Sequence, residues 1–376
     1  MTAGFHSPLP PARSGVADYA AALLAALREY GTVQVGARRA DVHLYHLGNN
    51  QLHREIYRRA IEEPGVAVLH DAVLQHFFLG WLDRSAYIEE FVYNYGPWSR
   101  GVAGEMWNER ARSGGERHFR YPMLRRIAER SLAVVVHNPG AARTVLAHAP
   151  KARVREIPHL FVPPAEADPV EVIRLRERWG GDFVFAVMGY LRESKRLPAV
   201  LRAMDVVRRR RPGARLLLAG EFVSADLERQ LRPHLRRDDV VYQGWSTERE
   251  FWMQGAAADA CVNLRHPSAG ETSGIGIKMM GLGKPVIYTE SEEVSRFPDG
   301  SCIRIAHGVA EVEELAEHMT LLAGHPALAR RIGGRAAEHI RRVHAARATA
   351  GLYWDLLRSC GAGRLACYDG QEVVAP

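Results

Sequence analysis

The amino-acid sequence predicts an α/β protein with two parallel-sheet domains, and three observations lead to that prediction. The chain has 376 residues, which is enough for two packed cores of ordinary size. Short apolar runs alternate with longer amphipathic segments along nearly the whole chain. This alternation occurs once on each side of a proline-rich stretch. Unbroken apolar strands separated by helices of about ten or more residues are typical of parallel sheets that are covered on both faces.

The predicted strands form one set in each half of the chain. The first set consists of the runs VQVGA, VHLYHL, VAVLH, AVVVH and VREI, at 33–37, 42–47, 66–70, 133–137 and 154–157. The second set consists of FVFAVMG, RLLLAG, DVVYQG, ADACVNL and PVIYT, at 183–189, 215–220, 239–244, 258–264 and 285–289. In each half an early strand leads into a loop and then a helix, in the segments GFHSPLPPARSGVADYAAALLAAL and VFAVMGYLRESKRLPAVLRAM.

The segment PHLFVPPAEADP at 158–169 marks the predicted domain boundary, because its prolines cannot continue a helix or a central strand. We expect an N-terminal Rossmann-like domain over residues 1–162 and a C-terminal Rossmann-like domain over residues 170–345. A helix and tail over residues 346–376 are predicted to pack back on the N-terminal domain. Ligands of open α/β sheets bind outside the carboxyl ends of the strands, so two such domains facing each other predict an active site in an interdomain cleft.

Composition limits the class of protein. Hydrophobic residues make up 47% and charged residues 25%, the mixture of an ordinary globular chain. The net charge of +7 favours anionic partners such as nucleotides or phosphates. The four cysteines contain no C-x-x-C pair, which favours reduced thiols in a cytoplasmic protein. Neither a membrane span nor a signal peptide is recognised, so we expect a cytoplasmic protein that is at most peripheral to a membrane.

Several familiar motifs are missing. GLGKP at 281–285 has neither the spacing nor the hydroxyl residue of a nucleotide P-loop, and no dinucleotide fingerprint follows Gly274. The 17 histidines contain no H-E-x-x-H, and His70 and His76 are too far apart for one helical face, so no metal site is expected. Arginines are scattered, and the RRRR run at 208–211 ends a helix, where it complements the helix dipole. Nucleic-acid binding is therefore not expected.

The most informative segment is NLRHPSAGETSGIGIKMMGLGKPVIYTE, residues 263–290. A strand ends at Leu264, a loop carries Glu271, and small residues from Thr272 onward open a helix that is predicted to run to Gly283. A helix N-terminus is an anion site, and a carboxylate beside it can accept hydrogen bonds from sugar hydroxyls. The alternative is that Glu271 only compensates the helix dipole, which contributes at most about 1 kcal/mol.

This segment resembles the donor-site motif of the retaining glycosyltransferases of family 4, which have the two-domain GT-B fold. Three other segments resemble the same family in order: FHSPLPPARSGVADYAAALL near the start, HLGNNQLHREIYRRAIEEPGVAVLHD at 46–71 and GYLRESKRLPAVLRAM at 189–204. The resemblance implies a hexosyltransferase of glycan biosynthesis with an acceptor-side N-terminal domain and a nucleotide-sugar donor domain. It implies no metal and no cofactor besides the nucleotide-sugar substrate.

On the donor side, the resemblance implies that Lys195, in the loop led by Gly189, binds the diphosphate and stabilises the leaving group. Arg192 is the candidate second cation, because Tyr190 stands where the family often has an arginine. Glu271 would bond hydroxyls of the donor sugar, while Met279 replaces the second glutamate that commonly holds the ribose. Backbone amides for the diphosphate or the sugar would come from Thr272, Ser273, Gly274 and Ile275.

On the acceptor side, Gly15 would let the backbone approach the diphosphate. His70 matches the position of a histidine near the reacting sugar, and Asp71 follows it. Asn49, Asn50 and His53 form a polar cluster in a loop region that often touches acceptor. Structural roles are equally compatible with His70 and with the polar cluster, because strand-end histidines bond to backbone and asparagine pairs form turns.

The resemblance implies transfer with retention, in which the acceptor hydroxyl attacks the face that the diphosphate leaves. The motifs contain no pair of carboxylates for a glycosidase-like double displacement. The alternatives are a GT-B-like phosphorylase, a nucleotide-sugar epimerase and a sugar-nucleotide-binding pseudoenzyme, the last suggested by Met279 and Tyr190. A glycan, a lipid-linked compound and a natural product stay open as acceptors, basic N-terminal helices permit contact with a membrane, and the oligomeric state is open.

Overall fold

A computed structural model of the protein describes residues 1–112, 115–164 and 167–362. The chain divides into two compact units. Unit 1 comprises Met1–Leu160, Ala269–Thr272 and the described residues from Ala345 onward. Unit 2 comprises Phe161–Ser268 and Ser273–His344. The predicted tail after residue 362 lies outside the described residues, as do Cys367 and two linker residues at 165–166.

The strands alternate with helices along the described chain. The strands are β1 (Thr2–His6), β2 (Thr32–Val35), β3 (Val42–Leu47), β4 (Val66–Leu69), β5 (Ala133–Val136), β6 (Val154–Glu156), β7 (Phe183–Met188), β8 (Ala214–Ala219), β9 (Val240–Gln243), β10 (Ala260–Asn263), β11 (Val286–Thr289) and β12 (Ile303–Ile305). The three-residue strand β12, at one edge of its sheet, was not among the predicted strands.

The helices are α1 (Gly15–Leu27), α2 (Arg54–Glu62), α3 (Gln75–Leu79), α4 (Arg84–Tyr95), α5 (Arg100–Asn108), α6 (Glu116–Phe119), α7 (Arg125–Arg130), α8 (Pro139–His148), α9 (Pro169–Trp179), α10 (Leu197–Arg210), α11 (Ala225–Leu231), α12 (Glu248–Ala257), α13 (Gly274–Gly281), α14 (Glu311–Gly324), α15 (Pro326–Val343) and α16 (Ala346–Gly361). Short 3₁₀ turns include Gln51–His53 and Glu193–Lys195. In the described part of the chain, no helix combines the length and apolar character that crossing a membrane requires.

Each unit contains one six-stranded sheet in which every pairing is parallel. The order is β2-β1-β3-β4-β5-β6 in unit 1 and β12-β11-β10-β7-β8-β9 in unit 2. The predicted α/β class with two Rossmann-like parallel sheets is therefore confirmed. The central strands are buried along their whole length, since helices cover both faces and water reaches neither.

Unit 1 is covered on one sheet face by α1 and α16. Tyr353 and Trp354 of α16 are buried in the same apolar cluster as Leu23 and Leu27 of α1. The hydroxyls of Tyr19 and Tyr353 are 2.9 Å apart, and the Trp354 ring occupies the space that a side chain at Gly31 would need. The C-terminal helix is therefore part of the core of unit 1.

Unit 2 is built around two clusters, one on each face of its sheet. One cluster joins the sheet to α10 and α14, and the other joins it to α9, α12, α13 and α15. The N-terminus of α13 is capped by Ser273, whose Oγ accepts from the Gly276 amide at 3.2 Å. The helix ends at Gly281, two residues earlier than predicted, because Gly283 takes a left-handed conformation with φ of 77°.

Candidate functional site

The loop that follows β7 in unit 2 holds the first group of predicted site residues. Gly189 has φ of 81°, which suits glycine, and its amide donates to the Ala219 carbonyl at 2.8 Å. A side chain at Gly189 would collide with the end of the Ile275 side chain, from the first turn of α13. The structure therefore brings Gly189 and Ile275 together, with the loop backbone packed against the beginning of the helix.

Lys195 and Arg192 lie in this loop in different environments. Lys195 ends the 3₁₀ turn, is only 4% exposed, and its Nζ donates to the Met188 carbonyl at 2.7 Å. Its ammonium is thus held at the carboxyl end of β7, the edge at which ligands of parallel sheets bind. Arg192 is exposed, with its guanidinium carbon 5.9 Å from the centroid of the Tyr190 ring.

Arg196, directly after Lys195, is a residue that the sequence analysis missed. It has left-handed backbone angles, φ of 57° and ψ of 32°, which are uncommon for a residue with a side chain. Its Nε and Nη2 both donate to the carboxylate of Glu311, which is 2% exposed. Burial alone would raise the pKa of Glu311, but the hydrogen bonds and charge of Arg196 outweigh burial and hold that pKa below its usual value. This ion pair fixes the residue next to Lys195.

The beginning of α13 lies at the carboxyl edge of the same sheet. The backbone N–H groups of Gly274 and Ile275 lie in the first turn of α13, where no carbonyl of the helix accepts from them. Arg265, which follows β10, places Nη2 3.4 Å from the Ser273 hydroxyl. Arg265 was also missed, although its position just after a predicted strand was a signal that could have identified it.

Position 279 does not face this edge. Met279 is fully buried in the apolar cluster that joins α13 to α12 and α9. A side chain built at Gly255 of α12 would lie 3.1 Å from the Met279 sulfur. Lys278 extends its ammonium to 5.1 Å and 5.2 Å from the ring centroids of Phe251 and Trp252. Met279, which stands at the place of the second motif glutamate, therefore packs in the core of unit 2.

The loop segment that carries Glu271, Ala269–Thr272, belongs to unit 1. One Glu271 carboxylate oxygen accepts from the Ala269 amide at 2.9 Å. Asn138, at the start of α8, donates from Nδ2 to the Gly270 carbonyl at 2.9 Å and to the Thr272 hydroxyl at 3.0 Å. Asn138 thus holds the residues on both sides of Glu271. No sequence pattern indicates this role of Asn138, because the contacts join residues more than 130 positions apart.

Gly15 is the first residue of α1, behind the cap residue Ser14, whose Oγ accepts from the Ala17 amide at 3.1 Å. A side chain at Gly15 would meet no atom of the other described residues within 4 Å. The fold itself therefore does not require glycine there. The role predicted for Gly15, backbone approach to a diphosphate, stays a prediction.

The predicted acceptor-side residues form a bonded group after β3 and β4. The Asn49 amide donates to Asp71 Oδ2 at 2.7 Å, and Asn49 Oδ1 accepts from the Phe77 amide at 2.9 Å. Asn50 caps the turn at 51–53, because its Oδ1 accepts from the Leu52 amide at 3.0 Å. The structure thus brings Asn49 and Asp71 together and uses both asparagine side chains to shape the loop. Their contact with an acceptor stays a prediction.

Four histidines surround Tyr19 in unit 1, and we call them the histidine layer. Its members are His46 on β3, His70 directly after β4, His137 directly after β5 and His159 beyond β6. Their ring centroids lie 6.0, 4.9, 5.2 and 4.7 Å from that of Tyr19. Because the strands are parallel and adjacent, histidines at these positions meet at one edge of the sheet.

Burial keeps three members of the histidine layer, His46, His70 and His137, uncharged. It lowers the pKa of His137 to about 4. Burial and then neighbouring imidazoles lower the pKa of His46 and of His70 well below 6.5. His53, fully buried beside the layer, has its pKa lowered to about 4 by burial. At neutral pH these side chains act as neutral hydrogen-bonding groups.

Comparison with known proteins gives one match in sequence and several in structure. Residues 196–353, less than half of the chain, match a family model described as glycosyl transferase-like. No curated protein sequence matches the chain significantly. The sequence match covers α10 to α15, the first half of α16 and thus most of unit 2.

Several solved structures match over nearly the whole chain. The sucrose-phosphate synthase from Thermosynechococcus elongatus is 15% identical, with a TM-score of 0.66 over 96% of this chain and 100% of that chain. The Anabaena protein HepE in complex with UDP-glucose is 12% identical, with a TM-score of 0.63 over 96% and 100%. WaaG, a glycosyltransferase involved in lipopolysaccharide biosynthesis, is 12% identical, with a TM-score of 0.60 over 95% and 99%. The chain therefore has the GT-B fold of these structures.

Proposed function

We propose that this protein is a retaining glycosyltransferase that moves a hexose from a nucleoside-diphosphate donor to an acceptor hydroxyl. The observation that carries the proposal is the buried ammonium of Lys195, held at the carboxyl end of β7 in a loop packed on the first turn of α13. An ammonium and a helix N-terminus at one sheet edge suit a diphosphate. The sequence match to a glycosyl transferase-like family over residues 196–353 supports the same conclusion.

In the proposed reaction, negative charge grows on the diphosphate as the bond to the sugar breaks. Lys195, Arg192 and the first-turn amides of α13 stabilise that charge, so the protein contributes electrostatics and positioning. The acceptor hydroxyl attacks from the side on which the diphosphate leaves, and the departing phosphate takes its proton. We propose that these positive groups stabilise the leaving diphosphate in place of a metal ion.

Glu271 and His70 are proposed to bind the donor sugar. A carboxylate accepts hydrogen bonds from hydroxyls, and the Glu271 loop is held on both sides by Asn138. His70 is neutral at pH 7 and follows β4 at the edge of the sheet of unit 1. UDP-glucose, the ligand of the HepE structure, is the first donor to test.

Donor binding is tested by thermal shift with UDP-, GDP-, dTDP- and ADP-sugars, because a ligand that binds the folded state raises the melting temperature. We expect one nucleotide class to raise it, and Lys195→Ala and Glu271→Gln each to reduce that shift. Lys151→Ala is the matched control, because Lys151 is an exposed lysine outside this loop. If no nucleotide sugar shifts the melting temperature of the wild-type protein, the proposal is wrong.

Turnover is tested by release of the nucleoside diphosphate in the presence of a chelator, with glycan, lipid-linked and natural-product acceptors. Retention is read from the anomeric configuration of the product. Formation of the epimeric nucleotide sugar without any acceptor identifies an epimerase, and turnover that requires inorganic phosphate identifies a phosphorylase. Release that depends on an acceptor and is lost in Glu271→Gln supports the glycosyltransferase.

One observation favours a second candidate, a sugar-nucleotide-binding protein without turnover. Met279 lies in the core at the place where a carboxylate for the ribose is expected from the resemblance. Such a protein gives the thermal shift but releases no diphosphate with any acceptor. Release by the wild-type protein excludes it.

A further inference from the structure

His46 and His70 share a hydrogen bond inside the histidine layer. The distance from His46 Nδ1 to His70 Nε2 is 3.0 Å, and the two rings are stacked with centroids 5.3 Å apart. His46 is fully buried on β3, whereas His70 is only partly buried. Two neutral imidazoles can share one proton in two ways, so either His46 or His70 is the donor.

The other nitrogen of His46 distinguishes these two arrangements. His46 Nε2 is buried and has no hydrogen-bond partner among the described residues. If His70 were the donor, the proton of His46 would lie on Nε2, and a buried N–H group would be unsatisfied. If His46 is the donor, Nε2 carries only a lone pair. Orphaned buried N–H groups are rarer in proteins than under-satisfied acceptors.

Two neighbouring histidines also have a buried Nε2 whose lone pair has no hydrogen-bond partner among the described residues. His53 Nδ1 donates to the His46 carbonyl at 2.9 Å, and His137 Nδ1 donates to the Ile157 carbonyl at 2.9 Å. A carbonyl only accepts, so both rings carry their proton on Nδ1. Their Nε2 atoms are buried without a partner among the described residues, as in His46. His46 follows the same pattern when its proton lies on Nδ1.

We propose that His46 is a positioning residue that donates its Nδ1–H to His70 Nε2 and thereby keeps the proton of His70 on Nδ1. The nitrogen of His70 that faces away from His46 is then a hydrogen-bond donor. This inference rests on the proposed function where it assigns His70 to the donor sugar. The group that His70 recognises is then an oxygen that accepts, a sugar hydroxyl or ring oxygen, and His70 does not act as a base from Nδ1.

The tautomer is measured by NMR of the protein labelled with ¹⁵N-histidine, with the His70→Gln variant used to identify the His70 signals. At pH 7.5 we expect a protonated Nδ1 and an unprotonated Nε2 for His70, and the same for His46. A protonated Nε2 in His70 would overturn the proposal. The measurement needs neither substrate nor turnover, so it can fail or succeed independently of the proposed function.

Two variants of His46 separate positioning from packing. In His46→Asn the side-chain amide retains a donor close to the position of Nδ1, and in His46→Leu the donor is lost. We expect His70 to keep its tautomer in the asparagine variant and to become a mixture of tautomers in the leucine variant. With a donor that the wild-type protein turns over, kcat/KM should fall roughly tenfold in the leucine variant and recover in the asparagine variant, the loss expected when one hydrogen bond of about 1.4 kcal/mol is removed.

The matched control is His137→Leu, which removes a ring of the same layer, 5.2 Å from His70, that is bonded to a carbonyl instead of to His70. The His70 signals of this control should still show a proton on Nδ1. If the control changes the His70 tautomer as much as His46→Leu does, packing sets the tautomer and the proposal is wrong. If His46→Leu does not fold, the wild-type and asparagine spectra still decide.

Discussion

Two buried tyrosine hydroxyls illustrate what a single residue contributes in unit 1. The hydroxyls of Tyr19 of α1 and Tyr353 of α16 bond to each other at 2.9 Å, and both residues are buried. The residues are 334 positions apart, so this bond ties the C-terminal helix to the first helix. Removing one hydroxyl leaves the other buried and unsatisfied.

We expect Tyr353→Phe to lower the free energy of unfolding by about 1–3 kcal/mol, the cost of a buried group without a partner. The measurement is urea denaturation at pH 7.5. The control is Tyr30→Phe, because the Tyr30 hydroxyl also bonds to a helix residue, the Arg347 carbonyl at 2.8 Å, but the side chain is 38% exposed and water can replace that bond. Equal losses in both variants would show that burial does not control the effect.

At the scale of elements, α15 passes very close to the end of α13. A side chain at Gly333 of α15 would overlap the carbonyl of Gly283, which is backbone and cannot move aside. Gly334, the next residue, is exposed, and a side chain there would meet no atom within 4 Å in the part of the chain that the structure describes. Close packing therefore requires glycine at position 333 but leaves room for a side chain at position 334.

We expect Gly333→Ala to lower the free energy of unfolding by about 1–3 kcal/mol, because the two elements must separate to admit a methyl group. Gly334→Ala should raise it by about 0.5–1 kcal/mol, since alanine is the better helix former and nothing opposes it. Thermal and urea denaturation of the two variants side by side provide the measurement. A stabilised Gly333→Ala variant would contradict the packing described here.

At the scale of the whole molecule, the uncharged histidines make stability depend on pH. Burial is the largest cause that lowers the pKa of His6, His53 and His137 to about 4, while the value in an unfolded chain is 6.5. As the pH falls below about 6.5, the unfolded chain takes up these protons and the folded protein does not. The unfolded state then binds more protons, so stability falls with pH.

We expect the free energy of unfolding to be highest above pH 6.5 and to decrease between pH 6.5 and 4, by up to about 1.4 kcal/mol per pH unit for each of these histidines. Denaturation at pH 7.5, 6.5 and 5.5 measures the decrease. His137→Asn should make the curve less steep, because an asparagine amide can still donate to the Ile157 carbonyl but does not titrate. A stability that does not change over this range would contradict the lowered pKa of His6, His53 and His137.

Much of the fold follows from patterns within short stretches of the chain. The runs at 42–47, 66–70 and 183–189 became central strands because a parallel strand buried on both faces must be apolar throughout. Local chemistry also placed Gly189 and His70 at strand ends. The helix of the donor motif was predicted to end at Gly283 and ends at Gly281, since the glycine that stops a helix lies beyond its last turn.

The sequence by itself determined the α/β class, the two parallel sheets and the positions of candidate residues relative to their strands, because these depend on periodicity and on neighbours in the chain. Only the tertiary structure decided which partners those residues have. Arg196 holds a left-handed conformation against Glu311, 115 residues away, and Met279 faces a core instead of a ligand. The histidine layer also gathers rings from several strands. Burial and hydrogen bonding arise between residues distant in sequence, so no local pattern contains them.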